Sequence, residues 1–186
     1  MIKFSNLKII FKGLNIFKKL VCLSLFFYFL QAQNIFFGDK NNALHISIGN
    51  SFDLKGFENL YLMEVAYSQP NKFFRLFGRL NFEMGGFLAI KDKKLKQYNL
   101  GYLGISEDIA FPLYRNFYFG LNLGFYIKSK QDSRVGSAFS FGEKAFLGIR
   151  WGWGNLELFV RHFSNGGLKT PNVGYNFAGL AMGWLY

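Results

Sequence analysis

Two side chains that could form a nucleophile and its base lie two residues apart near the C-terminus of this 186-residue chain, His162 and Ser164. They continue the alternation of Leu156, Leu158 and Val160. Because side chains two apart on a strand project to the same face, we expect both to face outward with these apolar residues. A neutral histidine can accept the proton of a serine hydroxyl and return it to a leaving alkoxide. The residue types therefore indicate nucleophilic chemistry at a serine.

The residues after Ser164 could stabilise the negative charge that develops when a serine attacks a carbonyl group. Donors for such an oxyanion must be in position before the reaction. The candidates are Asn165, the backbone of Gly166 and Gly167, and Asn172. The alternative is that these residues only shape the turn, as asparagine and glycine often do. Both interpretations stay open.

The elements that must position these residues are strands. From residue 43 onward apolar residues recur at every second position, which is the period of a strand with unlike faces. The runs can be placed at 43–52, 61–68, 75–90, 98–114, 117–130, 138–151, 155–164 and 173–186. An even number of antiparallel strands, apolar outside and polar inside, describes a membrane barrel. We predict an all-β fold, an eight-stranded antiparallel transmembrane β-barrel.

Polar residues of both signs fall on the opposite face, and we expect them to pair inside the barrel. They are Glu64, Arg79, Asn81, Glu83, Lys144, Arg150, Glu157 and Arg161. A soluble barrel would instead turn its apolar face inward around a ligand. Aromatic residues make up 20% of the chain, too many for so small an interior. The terminal Trp184-Leu185-Tyr186 also resembles the end of bacterial outer-membrane barrels.

Residues 1–32 predict a cleavable signal peptide, with 33–186 as the barrel. Five lysines and no acid are followed by the apolar run 20–30 and by Ala32 as a cleavage point. The alternative is a membrane-anchoring helix, for which the run is short. The net charge of +11 includes these five lysines, so residues 33–186 carry a net charge of +6. The only cysteine, Cys22, is lost on cleavage, and scattered basic residues argue against nucleic acid as a partner.

The spacing of the strands also predicts which connections are long. We expect outer connections at 53–60, 91–97, 129–137 and 165–172, and inner ones at 69–74, 115–116 and 152–154. The second outer connection contains the basic run Lys91-Asp92-Lys93-Lys94-Leu95-Lys96. This run would lie level with phosphorylated lipid head groups, or it is simply a solvated loop.

Glu143 interrupts the outward apolar set of the sixth strand. If the sixth and seventh strands pair across the turn at 152–154, Glu143 lies opposite His162 or Ser164. Glu143 could then orient or charge the histidine, or it is an interfacial carboxylate that reaches water. His45 stands alone, without a second histidine or clustered acids, so we expect no metal and no cofactor.

The stretch 161–174, RHFSNGGLKTPNVG, resembles the signature of the PagL-type lipid A 3-O-deacylases, in which His-x-Ser-Asn precedes a glycine-rich turn and Pro-Asn-x-Gly. The resemblance implies a serine esterase of the bacterial outer membrane whose site opens toward the lipid leaflet. It implies removal of an ester-linked acyl chain, at the 3-O position, from the lipid A of lipopolysaccharide. Whether such a barrel forms a homodimer stays open.

The sequence departs from this family at Asn176, where the family carries a glutamate as the third member of the triad. An amide can orient the histidine, but it cannot neutralise an imidazolium. The third member therefore stays open between Asn176 and Glu143. The alternatives to the deacylase are a non-catalytic barrel with a structural or adhesion role, and another membrane enzyme such as an acyltransferase or a protease.

Overall fold

The computed structural model describes residues 41–53, 56–73 and 76–186, and the predicted signal peptide at 1–32 lies outside them. The strands are β1 (Ala43–Asp53), β2 (Gly56–Phe73), β3 (Leu76–Ala89), β4 (Leu100–Tyr114), β5 (Phe117–Lys128), β6 (Phe139–Trp151), β7 (Gly154–Ser164) and β8 (Tyr175–Leu185). A short 3-10 helix, Leu95–Tyr98, precedes β4. Within these ranges no helix is long and apolar enough to cross a membrane.

The eight strands form one closed antiparallel barrel. Each strand pairs with the next along the chain, and β8 returns to β1 with Ala43 opposite Leu185. Closure gives every strand a partner on both sides, which is the requirement for a sheet that spans hydrocarbon. The predicted all-β, eight-stranded architecture is therefore confirmed.

The outer wall of the barrel is apolar. Ile48, Leu123 and Leu158 are 56%, 67% and 58% exposed, whereas their chain neighbours on each strand are buried. This is the alternation that the sequence predicts, with large aliphatic and aromatic side chains outside. A soluble barrel with an apolar interior is thereby excluded.

The interior holds the charged residues, as predicted, and they pair. Arg161 donates to Glu64 and to Glu83, each at 2.5 Å, and all three side chains are almost fully buried. Tyr126 also contacts this guanidinium. At the end of the barrel that carries the long connections, aromatic side chains fill the interior. The ring centroids of Phe87 and Tyr175, for example, are 4.8 Å apart. Glu64 and Glu83 thus share one cation, which offsets part of the desolvation cost of the three groups.

Two predicted connections are wrong, because β2 is longer than its alternation suggests. Asp53 already pairs with Gly56, so 53–60 is not a long outer connection, and 69–73 continue β2 against β3. Pro70 is a residue type that favours turns, which is why a connection is predicted at 69–74. Beyond Ser68, however, β2 pairs with β3 alone, and a free edge accommodates a proline that lacks an N–H. The three long connections, 90–99, 129–138 and 165–174, share one end, here called the outer end.

Candidate active site

The outer end of β7 carries the two residues with nucleophile and base chemistry. Along this strand Leu158 and Val160 are exposed, and His162 and Ser164 follow them on the outer wall as half-buried side chains. Phe163, between the pair, points inward and is 2% exposed. The predicted outward orientation of His162 and Ser164 is confirmed. Polar groups on a lipid-facing wall are costly and usually serve a function.

A neighbouring strand holds the histidine in one tautomer. His162 lies opposite Asn176 of β8, and its Nδ1 is 2.7 Å from the Asn176 side-chain oxygen. An amide oxygen only accepts hydrogen bonds, so in this arrangement Nδ1 carries the ring proton. Nε2 is then the free acceptor of the ring. The imidazole is thus oriented as a general base requires.

Glu143 flanks the same histidine from the other side. In the register of β6 and β7 Glu143 is opposite His162, while Ser164 is opposite Phe141. The structure thereby selects the first of the two pairings that the sequence allowed. Glu143 is exposed on the outer wall. Directly opposed side chains have Cβ atoms about 4.5–5.5 Å apart, so the carboxylate lies within reach of the imidazole, although among the described residues no hydrogen bond or ion pair joins the two.

The Ser164 hydroxyl faces the start of the following loop. Its Oγ accepts a hydrogen bond from the Gly166 N–H at 3.4 Å, and in the described part of the chain no hydrogen bond joins it to His162. Catalytic hydrogen bonds are often long or unformed before substrate binds.

Asn165 organises the loop 165–174 from inside. Its Oδ1 accepts from the Gly167 N–H at 3.0 Å, and its Nδ2 donates to the Lys169 carbonyl at 2.5 Å. Its own N–H donates to Oδ1 of Asn172 at 2.8 Å. Because the side chain is fully buried in these contacts, Asn165 and the Gly167 N–H serve the shape of the turn.

Gly174 is a further part of the site, and its close approach to His162 was not predicted from the sequence. Its φ is +79°, and a Cβ there would lie 2.5 Å from Cε1 of His162 and 3.0 Å from the Phe163 carbonyl. Only glycine can adopt this backbone conformation and approach the imidazole so closely. The signal in the sequence was the Pro-Asn-x-Gly spacing, which fixes where the loop returns to the strand.

A groove on the outer wall runs beside His162, and Ser164 is not part of its lining. It encloses about 580 Å3 and is lined by apolar side chains together with polar groups of the site. The lining includes Ile109, Leu121, Leu123, Ala145, Val160, Glu143, His162 and Asn176. Ala145, opposite Val160, is a small residue among large neighbours and leaves room for the groove. Two other outer-wall grooves, of about 650 and 530 Å3, are not lined by His162.

The structure does not suggest a metal centre. His45 lies inside the barrel, 3.1 Å from the Ser68 hydroxyl and 3.2 Å from Arg79, far along the chain from the site. Among the described residues no group of three or more histidine, cysteine or acidic side chains could hold a metal ion.

Comparison with known proteins gives a family match and similar relatives. The model of the family described as lipid A 3-O-deacylase (PagL) matches residues 61–184. Lipid A deacylase PagL of Bordetella bronchiseptica is 38% identical over 80 residues, 38% of this chain and 45% of that protein. The match thus spans less than half of that relative's length.

Two solved structures share the fold. The crystal structure of the outer membrane enzyme PagL has a TM-score of 0.57 and 13% identity, with 76% of this chain and 97% of that one covered. Neisserial surface protein A (NspA) has a TM-score of 0.53 and 12% identity, with 79% and 96% covered. At these identities the likeness concerns the fold alone.

Proposed function

Because the chain belongs to the lipid A 3-O-deacylase (PagL) family, we propose that it hydrolyses an ester-linked acyl chain of lipid A, with Ser164 as nucleophile and His162 as base. The observation that carries the proposal is the 2.7 Å contact between His162 Nδ1 and Asn176 Oδ1 on the lipid-facing wall. It leaves Nε2 free for the serine proton, two residues away on the same face. The 3-O position is the one that the family description names.

The reaction proceeds in two halves. Oγ of Ser164 attacks the ester carbonyl carbon while its proton passes to Nε2 of His162. Collapse of the tetrahedral intermediate breaks the bond to the sugar oxygen, which leaves with the proton from the imidazolium. Water then attacks the acyl-serine with His162 again as base, and the fatty acid and the free serine hydroxyl are released.

Two donors are proposed for the oxyanion, the Gly166 N–H and the Asn172 side-chain amide. The Gly166 N–H is the backbone donor nearest to the nucleophile, at 3.4 Å from its Oγ. Asn172 uses its oxygen to hold the Asn165 N–H, which leaves its NH2 group for substrate. The Asn165 side chain and the Gly167 N–H are engaged within the loop and support the turn.

The third member of the triad is divided between two residues in this proposal. Asn176 orients the ring through Nδ1, and Glu143 supplies the negative charge that an amide cannot. The carboxylate would thus act from β6 rather than from β8. An ion pair of this kind, partly solvated, stabilises the imidazolium modestly.

The acyl chain and the head group of the substrate would meet different surfaces. The groove beside His162 is mainly apolar, with Ala145 in its lining, and its volume of about 580 Å3 can receive acyl carbons. The exposed lysines at 91, 93, 94 and 96, at the outer end, are available to phosphate groups. These features support a location in the bacterial outer membrane, with lipopolysaccharide as the partner in the outer leaflet.

The test is mass spectrometry of lipid A incubated with the full-length protein refolded in detergent. We expect the native protein to remove one hydroxyacyl mass and to release the matching free fatty acid. Ser164→Ala and His162→Ala should each lower the rate at least about 10³-fold. Ser129→Ala, which changes an exposed serine outside the site, is the control. Intact lipid A with the native protein would contradict the proposal and favour the non-catalytic barrel.

A further inference from the structure

The 3-10 helix and the starts of β2 and β8 meet at one side chain, Arg134 of the connection 129–138. Its Nη1 donates to Glu58 at 2.8 Å, and its Nη2 pairs with the other carboxylate oxygen of Glu58. The guanidinium also lies over the rings of Tyr98 and Tyr175, at 4.7 and 5.4 Å from their centroids. These partners belong to β2, the 3-10 helix and β8, so Arg134 links distant parts of the barrel rim.

The backbone around Arg134 holds the loop that follows Ser164. The Val173 N–H donates to the Arg134 carbonyl at 2.8 Å, and the Gly136 N–H donates to the Pro171 carbonyl at 2.8 Å. Val135 and Asn172 form an isolated antiparallel bridge. Residues 171–173 are therefore paired with 134–136 almost as a short strand.

The held segment contacts the site at both of its ends. Asn172 accepts the N–H of Asn165, the residue after the nucleophile. Two residues further on, Gly174 packs against the imidazole of His162. A shift of this segment would therefore move the backbone that faces both Ser164 and His162.

We propose that Arg134 is a positioning residue for hydrolysis, which fixes the 171–174 segment against His162 and Ser164 without touching the substrate. The inference rests on the proposed function. Glu58 is its counter-ion, and the rings of Tyr98 and Tyr175, which also contact each other, pack against the guanidinium.

The energetics favour a geometric role over a stabilising one. The two side chains of the ion pair are only 18% and 15% exposed, so the cost of removing them from water offsets part of the gain from pairing. The barrel itself is held by eight hydrogen-bonded strand pairings. The hydrogen bonds to Glu58 raise the pKa of Arg134 further above its ordinary value, so the guanidinium stays charged wherever the fold persists.

The experiment compares full-length Arg134→Gln and Glu58→Gln proteins with Lys130→Gln, which removes an exposed charge from the same connection. Two readouts are needed: steady-state hydrolysis of lipid A, and the imidazole ¹⁵N resonances of histidine-labelled protein in detergent. The chain has only two histidines, so His45, which lies inside the barrel, is an internal reference.

We expect both Gln variants to lower kcat roughly 10-fold or more with KM little changed, because small misplacements in an active site have large effects on rate. The His162 resonances should shift or broaden while those of His45 stay in place. Arg134→Lys should recover part of kcat, since it keeps the charge but not the bidentate pair.

Three outcomes would overturn the inference: native kcat in both Gln variants, a rise in KM alone, or equal changes in both histidines. Native kcat would mean that Arg134 has no positioning role. A rise in KM alone would indicate that Arg134 contacts the substrate, and equal changes in both histidines would indicate a general loss of structure. If the native protein releases no fatty acid but His162 alone shifts in Arg134→Gln, the proposed function fails and the coupling of Arg134 to His162 stands.

Discussion

Arg161 and His162 are neighbours in the chain, yet they lie on opposite sides of the barrel wall. Arg161 is 2% exposed, with two carboxylates and Tyr126 around it, whereas His162 is half-buried on the outer wall and has Asn176 at its Nδ1. The inner residue is locked by several strong partners. The outer one keeps its second nitrogen available.

This difference separates stability from chemistry along one strand. On the inner face of β7, Glu157, Phe159, Arg161 and Phe163 all contact buried partners from other strands. On the outer face His162 and Ser164 touch mainly the loop and the strand ends beside them. Substitutions on the two faces should therefore affect different measurements.

The largest effect on stability is expected from Arg161→Gln, which leaves Glu64 and Glu83 buried without their cation. The free energy of unfolding should fall by about 3–5 kcal/mol. Urea titration of the protein refolded in lipid vesicles measures this loss. Adding Glu64→Gln and Glu83→Gln to the same protein should restore part of it, because no buried charge then lacks a partner. An unchanged unfolding midpoint in Arg161→Gln would contradict the assignment of the lumen as the stabilising side.

The next largest effect concerns Gly174→Ala, where the added Cβ would meet the imidazole. We expect kcat to fall on the order of 10²-fold, since the ring must move away from its position beside Asn176. Gly56→Ala is the matched control, because Gly56 also has a positive φ but open space around its Cβ. Equal losses of activity in the two variants would mean that backbone strain, and not the contact with His162, is responsible.

A smaller effect is expected from Ala145→Phe, which fills the groove next to the site. KM for lipid A should rise about 10-fold with kcat nearly unchanged, because a pocket discriminates through the volume it offers. Leu147→Phe adds bulk two residues along the same face, where the groove beside His162 does not extend. If Leu147→Phe raises KM as much as Ala145→Phe, the acyl chain does not occupy this groove.

The smallest expected effect is that of Glu143→Gln, roughly 3-fold in kcat, because an exposed carboxylate stabilises the imidazolium only modestly. Asn176→Glu should restore kcat in the Glu143→Gln background, because it places a carboxylate at Nδ1 of His162. Steady-state hydrolysis of lipid A measures both changes. A kcat of Glu143→Gln equal to the native value would reduce Glu143 to an interfacial carboxylate.

Much of the barrel could be predicted from the sequence because the alternation of side chains along a strand depends only on neighbouring residues. A period of two residues specifies which side chains face lipid, and it placed His162 and Ser164 on the outer wall. The short turn between β6 and β7 limits their register, so the pairing of Glu143 with His162 was within reach.

What could not be predicted depends on contacts between segments distant in the chain. β2 is longer than predicted because it pairs with β3 beyond the point where β1 ends. A proline in this segment is typical of a turn when β2 is considered without its neighbours, so the segment was not predicted as a strand. Arg134 shows the same limit, because Glu58 is 76 residues away from it. No local pattern specifies which connections fold over the barrel mouth.

The hydrogen-bonded register of β7 also determines which insertions and deletions the fold tolerates. A single residue gained or lost between Gly154 and Arg161 would rotate every following position to the other side of the wall, with Arg161 in hydrocarbon and His162 in the lumen. An insertion of two residues would keep each side chain on its side of the wall but would shift His162 and Ser164 along the strand relative to β6 and β8. Length variation among descendants of this sequence should therefore accumulate in the connections at the rim, while β7 keeps its residue count.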